Sequence, residues 1–273
     1  MSGLVFAAIA PHGGIVIPEL CSPEELELAA VTRTAMEELS RRFDEARPAA
    51  VIVATPHNVH VDGHVGVVIA GALEGSLEGI ALTCPVDAEL AVRCLVDLVG
   101  AGIPSVGVSF GPNDPHEATM PLDWGALIPL WYMGGRSEPQ VPVVLVAPAR
   151  DVEPAALVEA GRVLGVTARA LGRRVALIAS ADHGHAHDSE GPYGFDPAAA
   201  LYDERIVELV RENRLEELSA VDGELLEAAK ADSFWQLLIL HGALDGGFEA
   251  ELLSYEVPTY FGMLCAAFTP RAS

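Results

Sequence analysis

The chain has 273 residues, 51% of them hydrophobic and 20% charged, which is the balance of a globular protein with room for one large domain and a sizeable core. Its 39 acidic and 16 basic side chains give a formal net charge of −23, which repels phosphate backbones and anionic lipid headgroups and excludes nucleic acid and membrane surfaces as main partners. There is no basic leader and no run of about 18 apolar residues, and Cys21, Cys84, Cys94 and Cys265 lack CxxC spacing, so a cytoplasmic protein without disulfides or a cysteine zinc site is expected.

Leu4 to Ala10 is a short apolar run stopped by Pro11, which predicts a buried strand entering the loop PHGG with His12 just past its end. Ser22 and Glu25 have capping-box spacing, and an amphipathic pattern from Pro23 to about Arg47 predicts the first crossover helix. Ala49 to Thr55 predicts a second strand, broken by Pro56, with His57 following at once in the loop PHNVHVDGH.

Further on, Val65–Ala70 predicts a strand, Val86–Val99 a helix, and Pro104–Phe110 a strand leading into GPNDPHEATMP. Leu122–Met133 predicts a helix or turn-rich segment, Val141–Ala147 a strand, Glu153–Leu171 a helix and Arg174–Ser180 a buried strand. After the loop ADHGHAHDSEGPYGFDP the pattern is mainly helical from Ala198 to Leu244, and TYFGMLCAAF predicts a last apolar strand. No repeat of 20 to 50 residues is visible.

Strands alternating with helices predict one α/β domain over residues 1–273, with a mostly parallel central sheet covered by helices on both faces. Ligands of such sheets bind beyond the carboxyl ends of the strands. Three histidine-bearing loops fall at three such ends, and nothing local requires histidines there, so their coincidence is the main functional signal.

Each residue also has a plainer reading. His12, taken alone, as readily bonds a turn carbonyl as it ligates a metal. His57 is the best-placed ligand, with Asp62 near enough to orient an imidazole, whereas His60 and His64 suit solvent-exposed loop positions. In DHGHAHD, His183, His185 and His187 alternate, so an extended backbone would point all three one way, as a metal site or as one general base with structural neighbours. A carboxylate completes a two-histidine site suited to iron(II). Asp232, which could instead cap the helix DSFWQLLILHGAL, is preferred over Glu256 in SYEVPTYFGM. His116 is a loop histidine within conceivable reach, and His241 suits a core position. No GxGxxG, Walker loop or GxSxG stands between a strand and a helix.

At these residues the chain resembles the class III extradiol ring-cleavage dioxygenases, the superfamily of the catalytic subunit of protocatechuate 4,5-dioxygenase. The likeness runs in order through PHGG, TPHN, DWGALIPLWYM, ASADHGH and a late helix ending in GAL. It implies iron(II), with zinc or manganese as alternatives, held by His12, His57 and a C-terminal carboxylate, here Asp232. His185 matches the base that deprotonates a catecholic or aminophenolic substrate, whose ring dioxygen then opens next to the diol without an organic cofactor. Family members often carry a histidine where this chain has Trp124, and a glutamate where it has Asp232. Other readings of the same site are a zinc-dependent hydrolase and a non-catalytic metal-binding relative of the Memo type. The expected partners are a small aromatic substrate and dioxygen, and a symmetric homodimer would be the commonest assembly.

Overall fold

A computed structural model describes residues 3–271. In chain order, β1 (Gly3–Ala10) is followed by α1 (Ala30–Ala46), β2 (Ala50–Ala54), β3 (Val65–Val68), β4 (Ala72–Leu77), β5 (Ile80–Pro85), α2 (Ala88–Gly100), β6 (Ser105–Val108), β7 (Thr119–Pro121) and α3 (Trp124–Tyr132). Then come β8 (Val143–Pro148), α4 (Pro154–Ala170), β9 (Arg174–Ser180), α5 (Ala198–Arg211), α6 (Gly223–Ala229), α7 (Phe234–Leu244), β10 (Phe248–Glu256) and β11 (Met263–Pro270).

Eight strands form one sheet in the order β10-β11-β1-β9-β2-β8-β3-β6. Its centre, β1-β9-β2-β8, is parallel throughout, while β11, β10 and β3 join antiparallel to their inner neighbours. The central strands are continuous apolar runs because both faces are covered. Along β1, for example, Ala7 and Ile9 enter one core and Phe6, Ala8 and Ala10 the other, the two-residue alternation of a pleated strand. The first core is closed by α2, α4, α5 and α7 through residues such as Leu90, Leu157, Leu209 and Leu237. The second is closed by α1 and α3 through Met36, Phe43, Leu127 and Leu130, together with Leu73 and Leu82 of a second, three-stranded sheet, β5-β4-β7.

The alternating pattern thus predicts the α/β class and the two-sided covering correctly. It misses the small sheet and β10, whose strands are half-exposed and carry glutamates, serine and glycine rather than a run of apolar residues.

The first helix also differs from expectation. Ser22 and Glu25 do form their reciprocal capping box, with Ser22 N donating to Glu25 Oε2 at 2.8 Å and Glu25 N to Ser22 Oγ at 3.3 Å, but it caps a 3-10 turn over Glu25–Glu27. The long helix starts only at Ala30. Its first-turn amide, Thr32 N, and the Thr32 hydroxyl both donate to Glu256 Oε1, at 2.7 and 2.5 Å. A carboxylate at a helix N-terminus satisfies an orphan donor and complements the dipole.

Helices α4 and α7 approach closely where Gly161 and Gly242 face each other's backbones. A Cβ on Gly161 would lie 1.9 Å from Ile239 O, and one on Gly242 would lie 1.8 Å from Val158 O. Arg150 stands just before α4 and Asp232 just before α7, so the two packed helices follow directly from the segments that carry this pair. No helix among the described residues is long and apolar enough to cross a membrane.

Candidate metal centre

The parallel neighbours β1, β9 and β2 all end on one edge of the sheet, and the loops leaving them bring His12, His185 and His57 to one pocket of 430 Å³. Asp232, between α6 and α7, reaches the same pocket. His12 Nε2 lies 3.2 Å from His57 Nε2 and 3.5 Å from Asp232 Oδ2, and His57 Nε2 lies 3.7 Å from Asp232 Oδ2. One ion with bonds of about 2.1 Å to each donor can reach all three atoms.

The surroundings prepare those atoms for a cation. Ser180 Oγ donates to the Gly125 carbonyl, so it accepts from His12 Nδ1 at 3.0 Å. That tautomer leaves His12 Nε2 a lone pair. Arg150 donates to Asp232 Oδ1 while lying 4.7 Å over the Trp235 ring. Asp232 Oδ2 is buried with no hydrogen-bond partner, and a buried orphan carboxylate oxygen between two imidazole nitrogens is costly unless a cation meets it. The donor set therefore fits a divalent metal.

Charge in the pocket points the same way. Burial would raise Asp232, but the neighbouring His12, with the charges of Arg150 and His57, holds it down to about 2. Burial would lower His12, yet the charges of Asp182, Asp232 and Asp123 outweigh it and push the imidazole above its ordinary value. His57 is shifted below its ordinary value by burial and by His12. Asp182, which patterning left unassigned, accepts from His12 N at 3.0 Å and places Oδ2 3.4 Å from His12 Nε2. Burial pushes its carboxyl up.

The three histidines of DHGHAHD do not point one way. His183 is fully buried, with Nδ1 2.9 Å from Ser233 Oγ, and burial pushes it down to about 4. His187 Nε2 bonds Asp203 Oδ2 at 2.9 Å, and Asp203, itself fully buried, also accepts from Gly184 N and Tyr255 Oη. Only His185 faces the pocket. Its Nδ1 donates to the His183 carbonyl at 2.8 Å, its ring stacks on Phe261 at 5.1 Å and 15°, and Tyr193 and Tyr260 flank it. In the neutral ring that tautomer leaves the lone pair on Nε2. The irregular backbone, anchored by His183 N to Gly262 O and His185 N to Ala229 O, overrides the alternation of an extended segment.

Trp124 lines the pocket with its ring 4.6 Å from that of His57. It is held there because α3 starts against the histidine: a Cβ on Gly125 would lie 2.8 Å from His57 Cδ2.

Several expected candidates lie elsewhere. Glu256, the alternative ligand, is committed to the start of α1. Asp62 orients His60, at 2.9 Å, rather than His57, and His64 Nδ1 bonds the Asp62 carbonyl. Neither His116 nor His241 lines the pocket, and all four cysteines are free. Arg150, Lys230, Tyr193, Tyr260 and Phe261 also line the pocket. Motif reading passes over them, since none stands in a pattern, although the aromatic pair Tyr260–Phe261 is visible in TYFGM.

Residues 6–267 match the family model described as the catalytic LigB subunit of aromatic ring-opening dioxygenase. The chain is 24% identical over 255 residues to Protein CA_C1420 of Clostridium acetobutylicum; the match covers 91% of this chain and 54% of that protein. The chain thus spans about half the length of that curated relative. Its fold is similar to the crystal structure of the uncharacterized protein JW3007 from Escherichia coli K12, with a TM-score of 0.61 and 20% identity over 96% of this chain and 99% of that one.

Proposed function

Because the chain belongs to the family of catalytic LigB subunits of aromatic ring-opening dioxygenases, we propose that it is an iron(II)-dependent extradiol enzyme that opens the ring of a catecholic or aminophenolic aromatic next to the diol. The observation that carries this reading is the meeting of His12 Nε2, His57 Nε2 and Asp232 Oδ2 in the pocket that His185 also lines. Two histidines and one carboxylate with positions left open are the donor set suited to iron(II) and dioxygen.

When bound, the ion supplies Lewis acidity for the ring oxygens and the redox capacity that lets dioxygen react. The chain does the rest. His185, oriented through Nδ1 and clamped flat on Phe261, takes a substrate hydroxyl proton on Nε2. Trp124 and Tyr260 give the substrate ring apolar walls. Arg150 and Lys230 offset the negative charge that deprotonation creates. Ser180 and Arg150 hold His12 and Asp232 in their ligating orientation.

The test is to load the protein anaerobically with iron(II), add catechols and aminophenols, and then follow oxygen uptake and the visible spectrum of the opened product. Oxygen consumption matched to product supports the reading. An iron-loaded protein that binds no catechol would sink it, and oxygen-independent hydrolysis by the zinc-loaded protein would replace it.

A further inference from the structure

The metal pocket does not end at Trp124. A second cavity of 280 Å³ adjoins it, and the two share Gly14 and Trp124 as lining residues. None of its walls is a metal donor: Ile15 and Leu20 come from the short turns after β1, Leu77 from the end of β4, and Ile128 from α3. Ile15, Leu20 and Leu77 are only half-buried, so they present apolar surface to the cavity that a ligand could cover. The Cys21 thiol beside them donates to Ile15 O and Ile17 O at 3.2 and 3.3 Å and so brings no unpaired donor.

The two compartments differ in charge. Arg150 and Lys230 belong to the metal pocket, whereas the side cavity has no cationic side chain in its lining and carries the carboxylates of Glu25 and Glu78. Glu25 is already engaged by Ser22. Arg33, the nearest cation, is spent on Ile15 O behind that lining, so an anionic group would meet the two carboxylates first, while an uncharged apolar group would remove three half-exposed aliphatic side chains from water.

We infer that the side cavity is a specificity subsite for an uncharged apolar substituent on the substrate ring, so the preferred substrates are alkyl- or aryl-substituted catechols. The volume admits a short alkyl chain, and Trp124, placed between the His57 imidazole and the cavity, forms the threshold that the substituent crosses. This rests on the catechol reading above.

The experiment is an anaerobic calorimetric titration of the iron-loaded protein with catechol, a series of 4-alkylcatechols from methyl to pentyl, and 3-(3,4-dihydroxyphenyl)propionate as a carboxylated comparison. The inference expects affinity to rise about fourfold for each methylene buried until the cavity is full, and the carboxylate to bind more weakly than the alkyl compound of similar length. Leu77→Trp, which occupies the cavity, flattens that rise while the iron content stays at the wild-type level. A flat alkyl series in the wild-type protein, or tighter binding of the carboxylate, overturns the subsite and leaves the ring-opening reading standing. Absence of binding by catechol itself overturns both.

Discussion

The first histidine after β1 and the first after β2 stand within three residues of the strand, and both rings converge on Asp232. After β9 three histidines follow, and their rings go to Ser233, to the pocket and to Asp203. The difference teaches that a strand end fixes where a loop starts, whereas a buried partner fixes where each ring goes. His12 has such a partner in Ser180, at the end of the strand next to its own. In the β9 loop, Ser233 and Asp203 take two rings, and the His185 ring is left facing the pocket.

The contrast breaks most visibly if another histidine does the work of His185. His185→Ala should lower turnover by about 10²–10⁴-fold with iron content unchanged, as read by oxygen uptake and metal analysis. The same loss in His187→Ala, with stability intact, would mean that the loop has no single base. Next in size is the anchor of that loop. Asp203→Ala leaves the donors of Gly184, Tyr255 and His187 without their acceptor and should cost about 2–4 kcal/mol, measured by urea denaturation. A cost below about 0.5 kcal/mol would put the loop's support elsewhere.

Smaller effects sharpen the other side of the comparison. Ser180→Ala and Arg150→Met each remove the group that orients a proposed ligand, His12 and Asp232 respectively, and each should weaken metal binding about 10–100-fold without unfolding the protein, as checked by metal titration beside circular dichroism. The smallest effect is expected at His60, which bonds Asp62 on the exposed side of the β2 loop. His60→Ala should change metal affinity by no more than about twofold, so a larger loss would extend the site toward that loop.

The same contrast explains what was legible in the sequence. The central strands show as apolar runs stopped by proline or by a loop, so the positions of His12 and His57 past Ala10 and Ala54 follow from local patterning. The directions of the β9 histidines do not, because Ser233 and Asp203 lie 50 and 16 residues away from the histidines they bond. The choice between Asp232 and Glu256 rests on a similarly distant fact: Glu256 is spent on Thr32 across 224 residues of chain. Arg150 carries no motif, and Asp182 stands in DHGHAHD without a legible role, so what each does appears only once the strand ends are side by side.

The most direct test is anaerobic titration of metal-free protein with iron(II), comparing wild type with Asp232→Ala and Glu256→Ala. The account predicts one ion per chain in the wild type, affinity reduced at least about a hundredfold in Asp232→Ala, and little change in Glu256→Ala. Stoichiometric binding that survives Asp232→Ala, or is lost in Glu256→Ala while the protein remains folded, would contradict it.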